Sequence, residues 1–197
     1  MYASTAMQIR LALSVVDRGL DVNEKLTVAR RADESMSHVV LRVLSYCLFY
    51  RDDPPQCLKF ALGPADRDGP DLWAHDLVGG PIEWIVCGEP DAEELTHVLR
   101  HQRQAAVRVL FGSDLERESF FHHVRSLRRR VMGLGAVDFR EVDATLVETL
   151  AAREEERQRW AVTLVEDHLY VDADGVSADC EVLRPAIPTD LVDGRGR

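Results

Sequence analysis

Leu26-Thr27-Val28-Ala29-Arg30, then Asp33-Glu34-Ser35, then Val39-Val40-Leu41-Arg42-Val43-Leu44-Ser45-Tyr46-Cys47-Leu48 is the stretch that sets the architecture. The first five residues are the short, β-favouring run of a strand. Val40, Val43, Leu44, Cys47 and Leu48 recur at spacings of three and four, one face of a 3.6-residue period, so a helix is expected over about 34–50. Asp33, Glu34 and Ser35 crowd its start, where side-chain oxygens satisfy free backbone N–H groups and negative charge favours the helix dipole. Asp53-Pro54-Pro55 ends it.

Upstream, residues 5–17 read as a strand and Asp17-Arg18-Gly19-Leu20-Asp21 as a turn, so the chain opens with a hairpin. Downstream, Cys57–Leu62 reads as a short strand, Gly63–Gly69 as a loop, and Ile82–Cys87 as a mostly buried strand. Asp91 with Glu94, and Ser113 with Glu116, have the spacing of N-terminal helix caps. The helices they open run on either side of a strand at Val107–Phe111, the second to about residue 130. A short strand over Val137–Val142 and a short helix around 143–153 follow, and the chain ends in strands around Trp160–Val165, His168–Val171 and 176–183. Helices interleaved with strands predict an α/β protein with a mixed β-sheet and flanking helices. Residues 1–184 read as one domain, and 185–197, rich in Pro, Gly and charge, as a loose tail.

No apolar run reaches the ~18–20 residues that cross a bilayer. The start of the chain shows no basic region followed by an apolar one, so a cytoplasmic protein without membrane contact is expected. Cys47, Cys57, Cys87 and Cys180 match no zinc-ligand spacing and read as reduced thiols in or near the core. The net charge of −10 disfavours a polyanion as partner. Two local clusters qualify that: Arg100, His101, Arg103 and Arg108, and Arg125, Arg128, Arg129 and Arg130. Each is either a basic face for nucleic acid or a solvated helix surface. A protein partner is the other option, which charge alone suggests.

The middle of the chain resembles the common core of PD-(D/E)xK nucleases, and shorter motifs resemble the YaeQ family in particular. Leu26–Arg30 is similar to that family's "LTLAR", Asp33-Glu34-Ser35 to "SET", and Val40–Tyr46 to "MxLRLLAW". Trp73 and Trp84 are eleven residues apart, as in the family, and Gly88-Glu89-Pro90-Asp91 supplies "GxPD". The resemblance spans about residues 5–184. It implies a restriction-endonuclease-like core elaborated by N- and C-terminal antiparallel strands.

In such nucleases carboxylates hold Mg²⁺ at the scissile phosphate and a Lys helps to activate water. The resemblance places the family's two strand carboxylates at Ile82 and Val86, both hydrocarbon here. It retains the helix carboxylate as Glu34, and its Lys falls at His97 or Arg100. Glu83 lies between the lost positions, but alternation along a strand points it to the opposite face unless the strand bulges. Other readings stand beside these: Glu34 as a helix cap, Glu83 as a solvent-facing residue or an Arg partner, and Arg42 as an ion-pair residue at the core's edge. His122 and His123 read as surface residues, and Trp73 and Trp84 as packing residues. The expectation is therefore a catalytically degenerate nuclease fold, without metal or cofactor, acting as a binding or regulatory module. The alternative is a Mg²⁺- or Mn²⁺-dependent nuclease or phosphodiesterase. There Glu34 and Glu83 would hold the metal, and His97 and Arg100 the phosphate.

Overall fold

The computed structural model describes residues 5–30, 33–53, 56–61, 69–127 and 131–192. It contains two five-stranded sheets where one was expected. The opening hairpin pairs β1 (Thr5–Val15) with β2 (Leu20–Arg30), and Gly19, at φ 57°, makes the turn. The C-terminal strands β8 (Arg157–Val165), β9 (His168–Ala173) and β10 (Val176–Glu181) join this hairpin, β8 running parallel to β1. The order of the first sheet is β10-β9-β8-β1-β2. The terminal strands thus build a sheet of their own.

The second sheet holds β3 (Lys59–Phe60), β4 (Leu72–His75), β5 (Pro81–Cys87), β6 (Ala106–Phe111) and β7 (Asp138–Glu141), in that order. β3, β4 and β5 form an antiparallel meander, and β5, β6 and β7 are parallel. Helix α2 (Ala92–His101) crosses from β5 to β6, and α3 (Asp114–Ser126) from β6 toward β7. Their caps form as the sequence predicts. Asp91 accepts from Glu93 and Glu94 N–H, and Ser113 accepts from Glu116 N–H. Glu116 turns back to Gly112 N–H at 2.7 Å.

Between the sheets lies α1 (Met36–Leu48), capped by Ser35, which accepts from His38 N–H. It packs against β4, β5 and β6 of the second sheet and against α4 (Ala144–Ala151). The sequence suggests one buried face; instead every residue from Val39 to Cys47 is buried. A helix covered on all sides carries apolar residues all round. One core cluster runs through α1, α4, the inner face of the first sheet and one face of the second, from Met7 to Val182. A separate cluster on the other face of the second sheet gathers Leu95 and Val98 of α2, Phe120, Phe121 and Val124 of α3, and Phe111 and Phe139.

Two further expectations differ from the structure. Strand β4 was not anticipated, because four residues give too little alternation to read. The stretch expected as a loose tail includes a short helix, α5 (Thr189–Val192). Leu191 and Ile187 rest on the second cluster, and Arg125 forks onto Asp190 at 2.9 and 3.3 Å. The loop expected over 63–69 and the triplet Arg128–Arg130 fall almost wholly outside the described residues.

Leu44 is completely buried at the centre of α1. Leu44→Ala removes its packing on both sides at once and is expected to cost about 2–5 kcal/mol in urea unfolding, with the cavity only partly closed by relaxation.

Candidate functional site

Where α1 begins, a polar network is sealed into the first core cluster. Arg42 is 2 % exposed and Glu34 6 %. Arg42 Nη1 donates to both Glu34 carboxylate oxygens, at 3.2 and 3.4 Å, and to the Ala29 carbonyl at 2.9 Å. Its Nη2 donates to the Ala61 carbonyl at 3.0 Å. The guanidinium thus ties the last turn before α1, the end of β2 and the strand β3 region together. Glu34 is this partner and not the cap, a role Ser35 fills.

Asp71, immediately before β4, is the second carboxylate. His38 Nε2 lies 2.8 Å from Asp71 Oδ1 and 3.6 Å from Glu34 Oε1, so one imidazole nitrogen sits between two carboxylates. Cys87 N–H donates to Asp71 Oδ2 at 2.8 Å, and Ser45 Oγ contacts Cys87 Sγ at 3.2 Å. Burial pushes the Asp71 pKa up, but the His38 hydrogen bond and charge, the Cys87 N–H and the Arg42 charge outweigh it and hold it below the ordinary carboxylate value. Burial drives the Cys87 thiol well above its usual range, so it behaves as a neutral core group.

Glu83 belongs to a different place. It is buried at the start of β5, on the α1 side of the sheet, as strand alternation requires. Arg51 Nη1 reaches it at 2.9 Å, and Arg108 grips it with Nε at 2.8 Å and Nη2 at 3.3 Å. Arg108 also donates to Asp138 and lies 4.9 Å above the Phe49 ring. Arg51, Glu83, Arg108 and Phe49, together with Arg18 and Arg140, line an open cavity of about 400 Å³. Arg51 follows the C-terminal end of α1, whereas Glu34 precedes its start. The helix spans ~20 Å, so the two glutamates lie at its opposite ends.

The expected quartet of Glu34, Glu83, His97 and Arg100 is therefore not one constellation. His97 and Arg100 are exposed on α2, beyond the second core cluster, where His97 stacks on His101 at 4.1 Å. Trp84 packs on that cluster and Val86 lies on the same side of β5, away from Cys87 and Asp71. Ile82 rests against the first cluster at the irregular start of the strand. Asp71, which with Asp76 and Asp91 lies near Glu83 in sequence, is the site residue that the expected quartet left out. Its signal was Pro70-Asp71 directly before a buried alternation, Leu72 and Ala74. Arg108, grouped in sequence with Arg100 and Arg103, is separated from them by the sheet. His122 and His123 are exposed, as expected. Among the described residues, no group of three or more His, Cys, Asp or Glu is arranged to hold a metal ion.

The profile of a family described as "YaeQ protein" matches residues 1–182 of this chain. Among solved structures, the chain is similar to the crystal structure of YaeQ protein from Xanthomonas axonopodis pv. citri. The identity is 25 % and the TM-score 0.78, over 94 % of this chain and 100 % of that one. It is also similar to the YaeQ protein structure from Pseudomonas syringae, with 26 % identity and TM-score 0.73, over 91 % of this chain and 94 % of that one. No curated protein matches the chain.

Removing Arg42 leaves the Glu34 carboxylate buried without its guanidinium. Arg42→Ala is expected to cost about 3–5 kcal/mol in denaturant unfolding, and Arg42→Met with Glu34→Gln to recover much of it. Asp71 has a lowered folded-state pKa, so its contribution is complete above the unfolded value of about 3.9 and is lost as pH falls through the folded value. Unfolding measured across the acid range is expected to show a shallower loss of stability below pH ~4 in Asp71→Asn than in the parent.

Proposed function

This chain belongs to the YaeQ family, and on that premise we propose that it is a restriction-endonuclease-like protein converted from metal chemistry to a closed ion-pair network. In this reading it works as a binding or regulatory module and not as an enzyme. The order α1-β3-β4-β5-α2-β6, an antiparallel meander joined by a helical crossover to a parallel strand, supports the nuclease-like part. Continuity of one core from Met7 to Val182 supports a single domain over 1–184. No helix is long and apolar enough to cross a membrane among the described residues; a cytoplasmic location is part of the proposal.

The observation that carries this reading is the occupancy of the two carboxylates. A magnesium ion needs oxygen ligands, of which carboxylates are the strongest a protein supplies. Here the Glu34 oxygens are engaged by Arg42 at 3.2 and 3.4 Å, and Asp71 by His38 at 2.8 Å and the Cys87 N–H at 2.8 Å. Guanidinium and imidazole donors use the lone pairs a cation would share, and Arg42 brings a permanent positive charge. Ile82 and Val86, where the resemblance puts two more carboxylates, offer no ligand atoms. His97 and Arg100 are too far across the sheet to assist.

One observation favours the alternative, a Mg²⁺- or Mn²⁺-dependent nuclease or phosphodiesterase. His38 Nε2 approaches both Asp71 and Glu34, at 2.8 and 3.6 Å, so withdrawal of the imidazole would leave two carboxylates facing one point. Its ligands would be Glu34 and Asp71, not Glu34 and Glu83.

Calorimetric titration of Mn²⁺ into the protein separates the two. The binding-module reading expects no saturable heat up to ~1 mM Mn²⁺, and no metal-dependent cleavage of single- or double-stranded DNA or RNA. Micromolar binding that Glu34→Gln and Asp71→Asn both abolish, accompanied by cleavage, would establish the nuclease instead.

A further inference from the structure

The outer face of the first sheet brings together basic residues that are far apart in sequence. Arg10 in β1 is paired directly with Lys25 in β2 on one side and with Arg159 in β8 on the other. One step along the same face, Gln8 lies between Thr27 and Arg157. Adjacent strands are ~4.8 Å apart and alternate residues ~6.7 Å, so four cations share a patch roughly 10 Å by 7 Å. All four side chains are exposed, and none has a carboxylate partner among the described residues. Two adjoining depressions, of about 630 and 610 Å³, both include Arg10, Lys25 and Arg159.

This arrangement works against the fold. Like charges directly opposed across strands destabilise a sheet. The chain has 34 acidic residues against 24 Lys and Arg, and several arginines elsewhere are paired, while the exposed Arg18, Arg100 and Arg103, like the four cations here, meet no carboxylate among the described residues. Arg42, Arg51, Arg108, Arg117, Arg125 and Arg140 each meet a carboxylate. The opposite end of the same face is acidic, with Asp21 and Asp179 on it. The border residues Asp172 and Asp174 are engaged locally. Asp172 accepts from Gly175 N–H and Ser177 Oγ, and Asp174 from the Arg159 backbone N–H.

We propose that the Lys25–Arg10–Arg159 row, with Arg157 beside it, is a docking track for the phosphate backbone of a nucleic acid. The chain would cross the strands, because the acidic end repels a polyanion laid along them. Several cations in one row call for a multivalent anion, and Gln8, Thr27 and Asn23 add neutral hydrogen-bond donors of the kind that contact phosphates. The track has no large apolar or aromatic anchor, which the core of a protein interface would need. Tyr170, the exposed aromatic of this face, sits at the acidic end beside Asp179. Without a stacking platform at the track, recognition is through the backbone and indifferent to sequence. The inference goes beyond the reading above and stands on residues outside the Glu34–Asp71 network, so either can fail alone.

Fluorescence anisotropy with a labelled single strand of ~20 nucleotides and the matching duplex, between ~50 and ~200 mM salt, tests it. The parent protein is expected to bind with log K falling against log salt at a slope between about −2 and −4. Arg10→Glu with Arg159→Glu is expected to weaken binding at least ~10-fold and to reduce the slope by about one per reversed residue. Arg100→Glu on α2 should leave both unchanged. The double reversal sets a carboxylate opposite Lys25 but keeps positions 10 and 159 a like-charged pair, so its melting temperature should stay close to the parent's. Absence of binding at ~50 mM salt, or unchanged binding in the double reversal, overturns the proposal. Displacement of the nucleic acid by polyglutamate at equal charge concentration also overturns it, assigning the track to an acidic protein segment.

Discussion

Helix α1 has no solvent face, so the charge of Arg42 has to be met inside the protein. Sheets press on it from both sides and α4 covers what they leave. A buried guanidinium is tolerated when its charge is balanced and most of its donors are satisfied, and here Nε alone of the three nitrogens has no partner. Glu34 supplies the balance, and the Ala29 and Ala61 carbonyls take further donors. The position of Arg42 thereby fixes the end of β2, the turn before α1 and the edge of the second sheet relative to one another. The same burial lowers the local dielectric and strengthens the neighbouring contact between His38 and Asp71.

Under the proposed reading, those contacts take the place of metal chemistry. Where the YaeQ resemblance implies carboxylates around a cation, this chain has carboxylates around its own cationic side chain. Glu83 repeats the pattern at the far end of α1, held by Arg51 and Arg108. In both places the buried acid is a structural partner of arginine. The four cations on the outer face of the first sheet meet no carboxylate among the described residues, and the binding role proposed for them rests on that contrast with the buried pairs.

Local patterns were legible in the sequence, and long-range register was not. The hairpin, α1, the Asp91 and Ser113 caps and the order of most elements follow from periodicity and turn chemistry over a few residues. The division into two sheets does not, because it depends on β8 joining β1 across well over a hundred residues. Four-residue β4 was too short to read, so little in the local pattern distinguished Asp71 from the other acidic residues near Glu83, Asp76 and Asp91. Charge clusters show the same limit. Arg100, Arg103 and Arg108 are close in sequence yet the sheet divides them, while Arg10, Lys25 and Arg159 meet only through strand register.

The central claim is that Arg42 and His38 have taken the place of a metal at Glu34 and Asp71. A crystal structure grown in Mn²⁺, with an anomalous difference map, tests it most directly. The account predicts no anomalous peak between the two carboxylates, with Arg42 still forked on Glu34 and His38 on Asp71. A peak at coordination distance, roughly 2.0–2.3 Å, from oxygens of both residues, with His38 turned away, would contradict it.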